Sequence, residues 1–343
     1  MDEKALREIM LRRGSTEKQI VKATGMVKEF EEWLAKRGKE LESTKVESLK
    51  EYIDLLISKG RNTDERLRAL TRYYYATRRN DLYYYLAVTL GGAGVYDSIA
   101  ENLESIAGKH KREAVFEGFR SPPLGSSPDL YPPCTRELLK RLSANLSTEK
   151  VREALTGNHH RIPVSAFAEK KRRFEAAETI DDYLVGEHRL LVEVLEQAMR
   201  EGRPWYEQEI TPEVLEFVKG DQTIQNGVRT GDIIKVSKIP FDPQRWLNEK
   251  DPRKRRYYAC HCQLARAAML DGNAEALKDF CYCSAGYEKL PWDVVFGEPV
   301  EVKVLESVLG GDDRCRFSIK IPKGKMKWAH SELAEDRNTP RFA

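Results

Sequence analysis

Apolar residues recur at helical spacing through the first 113 residues of this chain, and at strand spacing only after about residue 227. Side-chain period decides what a stretch can become: about 3.6 residues for one face of a helix, two for one face of a strand. A chain patterned in this order folds as α+β, with a helical bundle first and a small antiparallel sheet late. The early stripes are Ala23, Val27, Phe30, Leu34; then Val46, Leu49, Ile53, Leu56; then Leu67, Leu70, Tyr74; and, past Gly91-Gly92, Val95, Ile99, Leu103, Ile106. Thr44-x-x-Glu47 reads as a capping box and Asn62-x-x-Glu65 as the next helix start.

Residues 118–133 hold Pro122, Pro123, Gly125, Pro128, Pro132 and Pro133, which neither a helix interior nor a central strand tolerates. The expected organisation is a helical domain at 1–113, a linker at 114–133, a Cys-rich α+β domain at 134–325 and a tail at 326–343. In the second domain, Leu138, Leu139, Leu142 and Ile180, Tyr183, Leu184 mark helices, with the paired His159 and His160 in a loop between them. Thr211-Pro212-Glu213 starts another helix with a cap and an early proline. Residues 300–321 read as a hairpin around Gly310-Gly311, with Glu306 opposite Phe317 and Val304 opposite Ile319. That register puts Glu306 and Cys315 on an apolar face.

The 343 residues carry a formal charge of +3 with both signs mixed, too little to diagnose a nucleic-acid partner from charge alone. The start lacks an apolar leader region, and no apolar run approaches the ~20 residues a bilayer crossing needs. The expected setting is the cytoplasm, with no membrane partner. Thiols stay reduced there, so clustered cysteines suggest metal or catalysis before disulfides.

Four of the six cysteines form two matching pairs, Cys260-His261-Cys262 and Cys281-Tyr282-Cys283. Thiols two residues apart share a side only on extended backbone. In the metal reading, Cys260, Cys262, Cys281 and Cys283 close a tetrahedral thiolate site for zinc or an iron–sulfur cluster. In the catalytic reading, a helix over 263–270 begins just after Cys262 and lowers its pKa, with Arg266 adding positive charge. His160 and Glu306 would then carry protons, Glu306 because burial among apolar neighbours raises its pKa. In the third reading the cysteines are small buried hydrophobes.

The third N-terminal helix is rich in arginine and tyrosine. Arg66, Arg68, Arg72, Arg78 and Arg79, interleaved with Tyr73 to Tyr75, could neutralise phosphates and stack on bases. The segments Val27-x-x-Phe30-x-x-Trp33-Leu34, Ser43-Thr44-x-x-x-x-Leu49-x-x-Tyr52-Ile53 and Leu67-x-x-Leu70-x-x-Tyr73-Tyr74 resemble the SAM-like core-binding domain of tyrosine recombinases (integrases). The resemblance covers about residues 15–90 and implies DNA or partner binding. The Arg, His-x-x-Arg and Tyr series of a recombinase catalytic domain does not follow.

Further on, Gly157-Asn158-His159-His160-x-Ile162-Pro163, Cys260-His261-Cys262-x-x-Ala265-Arg266, Phe280-Cys281-Tyr282-Cys283-Ser284-Ala285-Gly286-Tyr287 and Leu305-Glu306-Ser307-Val308-Leu309 occur in that order. Over about residues 130–323 this resembles an uncharacterised Cys-rich bacterial and archaeal family. The closing Gly311-Asp312-x-x-Cys315-x-Phe317 also resembles L-2-amino-thiazoline-4-carboxylic acid hydrolases and 4-vinyl reductase-like domains, which implies a small-molecule pocket. Two functions stay open. One is a metal- or ligand-binding domain coupled to a DNA- or partner-binding bundle. The other is a small-molecule hydrolase using Cys/His/Glu chemistry.

Overall fold

A computed structural model describes residues 1–325; the expected tail at 326–343 lies outside the described residues. The first five helices are α1 (Glu3–Arg12), α2 (Glu17–Ala35), α3 (Val46–Ser58), α4 (Asp64–Ala76) and α5 (Asn80–Leu90). Their stripes meet in one core that includes Val27, Phe30, Leu49, Leu67, Tyr74 and Leu86. Thr16 and Gln19 form a reciprocal capping box at the start of α2. The expected capping box at Thr44 is not formed. The α3 cap is Lys45, without a side-chain bond, and the Thr44 hydroxyl donates to the Glu40 carbonyl. The next cap is Thr63 rather than Asn62, whose amide instead donates to the Leu124 carbonyl at 2.8 Å.

That last contact decides what the Pro/Gly-rich stretch does. Leu124 packs on the first core, and a Cβ added at Gly125 would lie 2.8 Å from Ile53 Cγ2. The segment therefore lies across the bundle and fastens to it. The first core ends at Leu90, ahead of the boundary expected at residue 113. α6 (Val95–Ala107) and α7 (Lys109–Phe116) pack instead with α8 (Tyr131–Asn145) and α9 (Thr148–Leu155) in a second core.

The remaining helices are α10 (Ala168–Ala176), α11 (Ile180–Glu201), α12 (Pro212–Lys219), α13 (Pro243–Asn248), α14 (Pro252–Ala259) and α15 (Cys281–Phe296). Thr211 caps α12 as its sequence suggests, accepting from Val214 N–H. Strands β1 (Val228–Thr230), β2 (Ile233–Ser237), β3 (Glu301–Glu306) and β4 (Arg316–Lys320) form one antiparallel sheet in the order β1-β2-β4-β3. Ile234, Val236 and Ile319 share an apolar cluster with Trp292 and Phe296 of α15.

The hairpin keeps its predicted faces and changes its register. Val302 faces Ile319 and Val304 faces Phe317, two residues from the expected pairing. An irregularity between Val304 and Glu306 then sets Glu306 opposite Arg316. A bulge turns the strand, so the expected placement of Glu306 on the apolar face is overturned. Its carboxylate takes both bonds from Arg316, at 2.5 and 2.6 Å, with both side chains well exposed.

Candidate functional site

The first bundle and the α+β part wall a cavity of about 490 Å³. That volume falls within the range of small-molecule sites, ~300–1,000 Å³. Ala87 of α5 and Gly91 just past its end line it together with Lys238, Cys283, Tyr287 and Glu288. The chain comes close to this end of α5 at two glycines. A Cβ added at Gly91 would lie 2.8 Å from Gln263 Cγ, and one at Gly92 would lie 2.4 Å from Leu264 Cδ2. The loop after Cys262 thus docks directly on the end of α5.

α15 meets the paired-histidine loop in the same way. A Cβ added at Gly286 would lie 2.5 Å from both the nitrogen and the oxygen of Gly157. The glycine contact brings the next residue on α15, Tyr287, against His160, with ring centroids 5.6 Å apart and planes at 89°. His160 is exposed, but into the cavity it lines. Desolvation, with Lys238 and His159 adding to it, pulls its pKa down to about 4, so the ring is neutral at pH 7. His159 points the other way. It is buried, with Nδ1 3.2 Å from the Ser98 hydroxyl.

The polar centre is an ion pair absent from the sequence reading. Lys238 follows β2, and its ammonium lies 3.4 Å from Glu288 Oε1, with the two side chains 9% and 6% exposed. The ammonium also donates to the Ser284 hydroxyl at 3.4 Å and sits 4.8 Å from the centre of the Tyr287 ring. Burial raises the Glu288 pKa, and Lys238 only partly opposes it. One signal for Glu288 was present in the chain. Residues 281–296 are apolar on nearly every helix face, so a carboxylate there is forced inside. Lys238 carried no such signal.

The cysteines divide. α14 ends at Ala259 with Cys260 as its cap, and Cys260 to Cys262 lie on non-helical backbone, as their spacing suggested. Cys281 and Cys283 instead begin α15, which corrects the extended backbone expected for that pair. Two residues apart on a helix, their sulfurs diverge. Cys262 and Cys283 line the cavity; Cys260, Cys281 and Cys283 belong to the second core, and Cys262 and Cys315 pack against it. Among the described residues no three His, Cys, Asp or Glu side chains gather to hold a metal ion.

The helix expected at 263–270 is a single 3-10 turn, Arg266–Met269, too short to supply the expected dipole. Burial pushes the Cys262 thiol well up, and Cys260 and Cys283 push it further. Cys283 and Cys315 are raised to about 12 by burial. Arg266 does lie near Cys260, but it is held between the rings of Phe241 and Tyr257 at 4.2 and 4.1 Å, and the Cys260 thiol remains raised by burial. Of the three expected catalytic groups, Cys262 and His160 share the cavity, and Glu306 is bound to Arg316 on the β3–β4 hairpin. His261, also on the cavity wall, donates from Nε2 to the Ile239 carbonyl at 2.6 Å; burial first, then Lys238, pulls its pKa to about 3.

The arginines expected to meet nucleic acid are mostly engaged. Arg66 is buried and bound to Glu29 at 2.7 Å, and Arg68 binds Asp64 at 2.6 Å. Arg79 holds the Glu42 and Thr44 carbonyls and Asp81. Among the described residues Arg72 and Arg78 form no ion pair; burial, then the like charges of Arg13 and Arg68, lowers the Arg72 pKa.

Four further charged groups, Lys170, Arg173, Glu187 and Glu207, line the cavity and were not singled out from sequence. Glu187 on α11 receives Lys170 at 3.0 Å and both nitrogens of an Arg173 fork. Glu207 sits in the tight turn closed by reciprocal bonds between Trp205 and Gln208, and the carbonyl of its neighbour Tyr206 accepts from Tyr83 of α5 at 2.8 Å. Among the described residues no cation pairs with Glu207.

Residues 249–327 match the model of a family of unknown function (DUF6144), a span that includes all four paired cysteines and the β3–β4 hairpin. Searches of curated proteins and of solved structures return no match.

Proposed function

We propose that this chain binds a small organic molecule in the cavity, and that the occupant joins the N-terminal bundle to the Cys-rich α+β domain. One observation carries the reading: Ala87 of α5 and Gly91 just past its end line the same 490 Å³ space as Lys238, Tyr287 and Glu288. The lining suits ligand binding, with an apolar and aromatic wall and a few buried polar groups. The thiols are held neutral, which favours their acting as wall atoms over thiolate chemistry. The apolar positions behind the core-binding resemblance, Val27, Phe30, Leu49, Tyr52, Leu67 and Leu70, share one core, which supports a SAM-like bundle as the partner of the ligand domain.

The test uses Nile red, an uncharged dye that fluoresces in apolar sites. Wild-type protein should bind it saturably, and Cys283→Trp, which fills the wall, should abolish binding while the protein stays folded by circular dichroism. Bound ligand should also slow hydrogen exchange of the α5 amides. Saturable dye binding that survives Cys283→Trp would place the apolar site elsewhere and end the proposal.

A second reading concerns the bundle. Arg72 lies near Arg13 and Arg68, and Arg72 and Arg78 lack ion-pair partners among the described residues. Such a patch suits a polyanion. Titration of duplex DNA at two salt concentrations against an Arg72→Ala, Arg78→Ala double variant tests it: equal affinity of variant and wild type removes the reading.

A further inference from the structure

We propose that the cavity takes a dipolar molecule, with a cationic amine or amidine at Glu207 and an anionic group at the Lys170–Arg173 end. The inference rests on the cavity being the ligand site. It follows from how the lining charges are paired. Lys170 and Arg173 share the one carboxylate of Glu187, which leaves that corner one positive charge in excess. Lys238 and Glu288 cancel each other in the middle. Glu207 has no cationic partner among the described residues, so its end carries one negative charge in excess.

The two ends lie on different segments, Lys170 and Arg173 on α10 and Glu207 in the turn that follows α11. Glu187 and Glu288 each feel two of the three cations, Glu187 those of Arg173 and Lys170, Glu288 those of Lys238 and Lys170. Burial alone raises the Glu207 carboxyl, its own backbone N–H being the only opposing influence. Glu207 is half-buried on the cavity wall, and a carboxylate partly removed from water without a partner gains from an incoming cation. The cavity lining includes the aromatic side chains of Trp205, Tyr206, Phe241 and Tyr287. Aromatic faces beside a carboxylate suit an organic cation.

Four indoles that differ only in charge test this. They are 5-carboxytryptamine (both charges, at opposite ends of the ring), tryptamine (cation), 3-ethylindole-5-carboxylate (anion) and 3-ethylindole (neither). Calorimetric titration of the full chain at pH 7.5 should give the order carboxytryptamine tightest, ethylindole weakest. Glu207→Gln should weaken carboxytryptamine and tryptamine by about tenfold or more and leave the ethylindole carboxylate within about twofold. Lys170→Met should weaken carboxytryptamine and the ethylindole carboxylate and spare tryptamine. If Glu207→Gln affects all four alike, or ethylindole binds as tightly as carboxytryptamine, the dipolar class is wrong. The same holds if Nile red binds and none of the four indoles does. Absence of binding by Nile red and all four indoles would instead remove the ligand site itself.

Discussion

Gly286 of α15 and Gly157 of the histidine loop touch backbone to backbone, with room for no side-chain carbon between them. The contact fixes where α15 lies relative to the loop, and therefore where Tyr287 meets His160. Backbone atoms cannot rotate aside as a side chain can. Gly286→Ala should cost about 1–3 kcal/mol, the usual range for overpacking a tight interior. Urea denaturation measures it. Ligand affinity should fall as well, because the loop that carries His160 must move. Full stability and affinity in the alanine variant would show that the interface yields and that the close approach has no role.

The Lys238–Glu288 pair should behave as buried pairs do. Lys238→Met leaves the Glu288 charge buried and alone, at a cost of about 3–5 kcal/mol, whereas Lys238→Met with Glu288→Leu should recover most of it. The pH dependence has a definite sign. Glu288 has a folded pKa above its ordinary 4.5. Above pH 4.5 the unfolded chain has released this proton and the folded chain still holds it, so rising pH lowers stability until the folded pKa is passed. Without Lys238 the folded pKa rises further, and the window widens. Lys238→Met should therefore lose more stability at pH 8 than at pH 5, as read from unfolding midpoints at both.

His261 supplies the opposite slope. Its folded pKa lies at about 3 against an ordinary 6.5, with burial as the main cause and Lys238 second. As pH falls below 6.5 the unfolded chain binds a proton that the folded chain refuses, so stability is lost on acidification. The slope approaches about 1.4 kcal/mol per pH unit for one such histidine. His261→Gln keeps an amide N–H for the Ile239 carbonyl and removes the titration. Between pH 6 and pH 5 the variant should lose less stability than wild type, measured by urea unfolding. Equal slopes would mean that His261 is protonated in the folded chain.

Much of the architecture was legible because period alone carries it. The stripes of α2 to α6 are written in residues such as Val27, Phe30 and Ile99, and the alternation of β3 and β4 in Val302, Val304, Phe317 and Ile319. The site was less legible, for three physical reasons. Cys281-x-Cys283 looks extended only if the backbone is assumed extended, and the apolar run from Cys281 to Phe296 offers no periodic face to say otherwise. A bulge near Leu305 adds one residue to one strand, which no pattern of hydrophobicity announces, and so Glu306 left the apolar face. The Lys238–Glu288 pair spans 50 positions of chain, and only the folded backbone brings such groups together. The paired-histidine loop is the exception. Its Gly157 and the Gly286 of the second Cys motif were both visible, and their contact explains why each needs glycine.

The cysteines give the last prediction. The thiolate is the reactive form, and a thiol whose pKa is raised holds little of it at pH 8. Burial raises all six, with Cys283 and Cys315 at about 12 and Cys262 and Cys281 well above the ordinary value. Higher intrinsic nucleophilicity offsets part of that loss, so reaction with a disulfide reagent such as DTNB should still be slowed roughly tenfold or more relative to a free thiol. Limited access will slow it further. Cys134 lies outside the cavity and the second core, with its Sγ donating to the Arg120 carbonyl at 3.6 Å, and it should react first. All six thiols should titrate at once in denaturant. A rapid burst from Cys262 in the native protein, mapped by mass spectrometry and removed by Cys262→Ser, would show a low-pKa thiolate in the cavity. The wall-atom role would then give way to Cys262 as a nucleophile beside neutral His160.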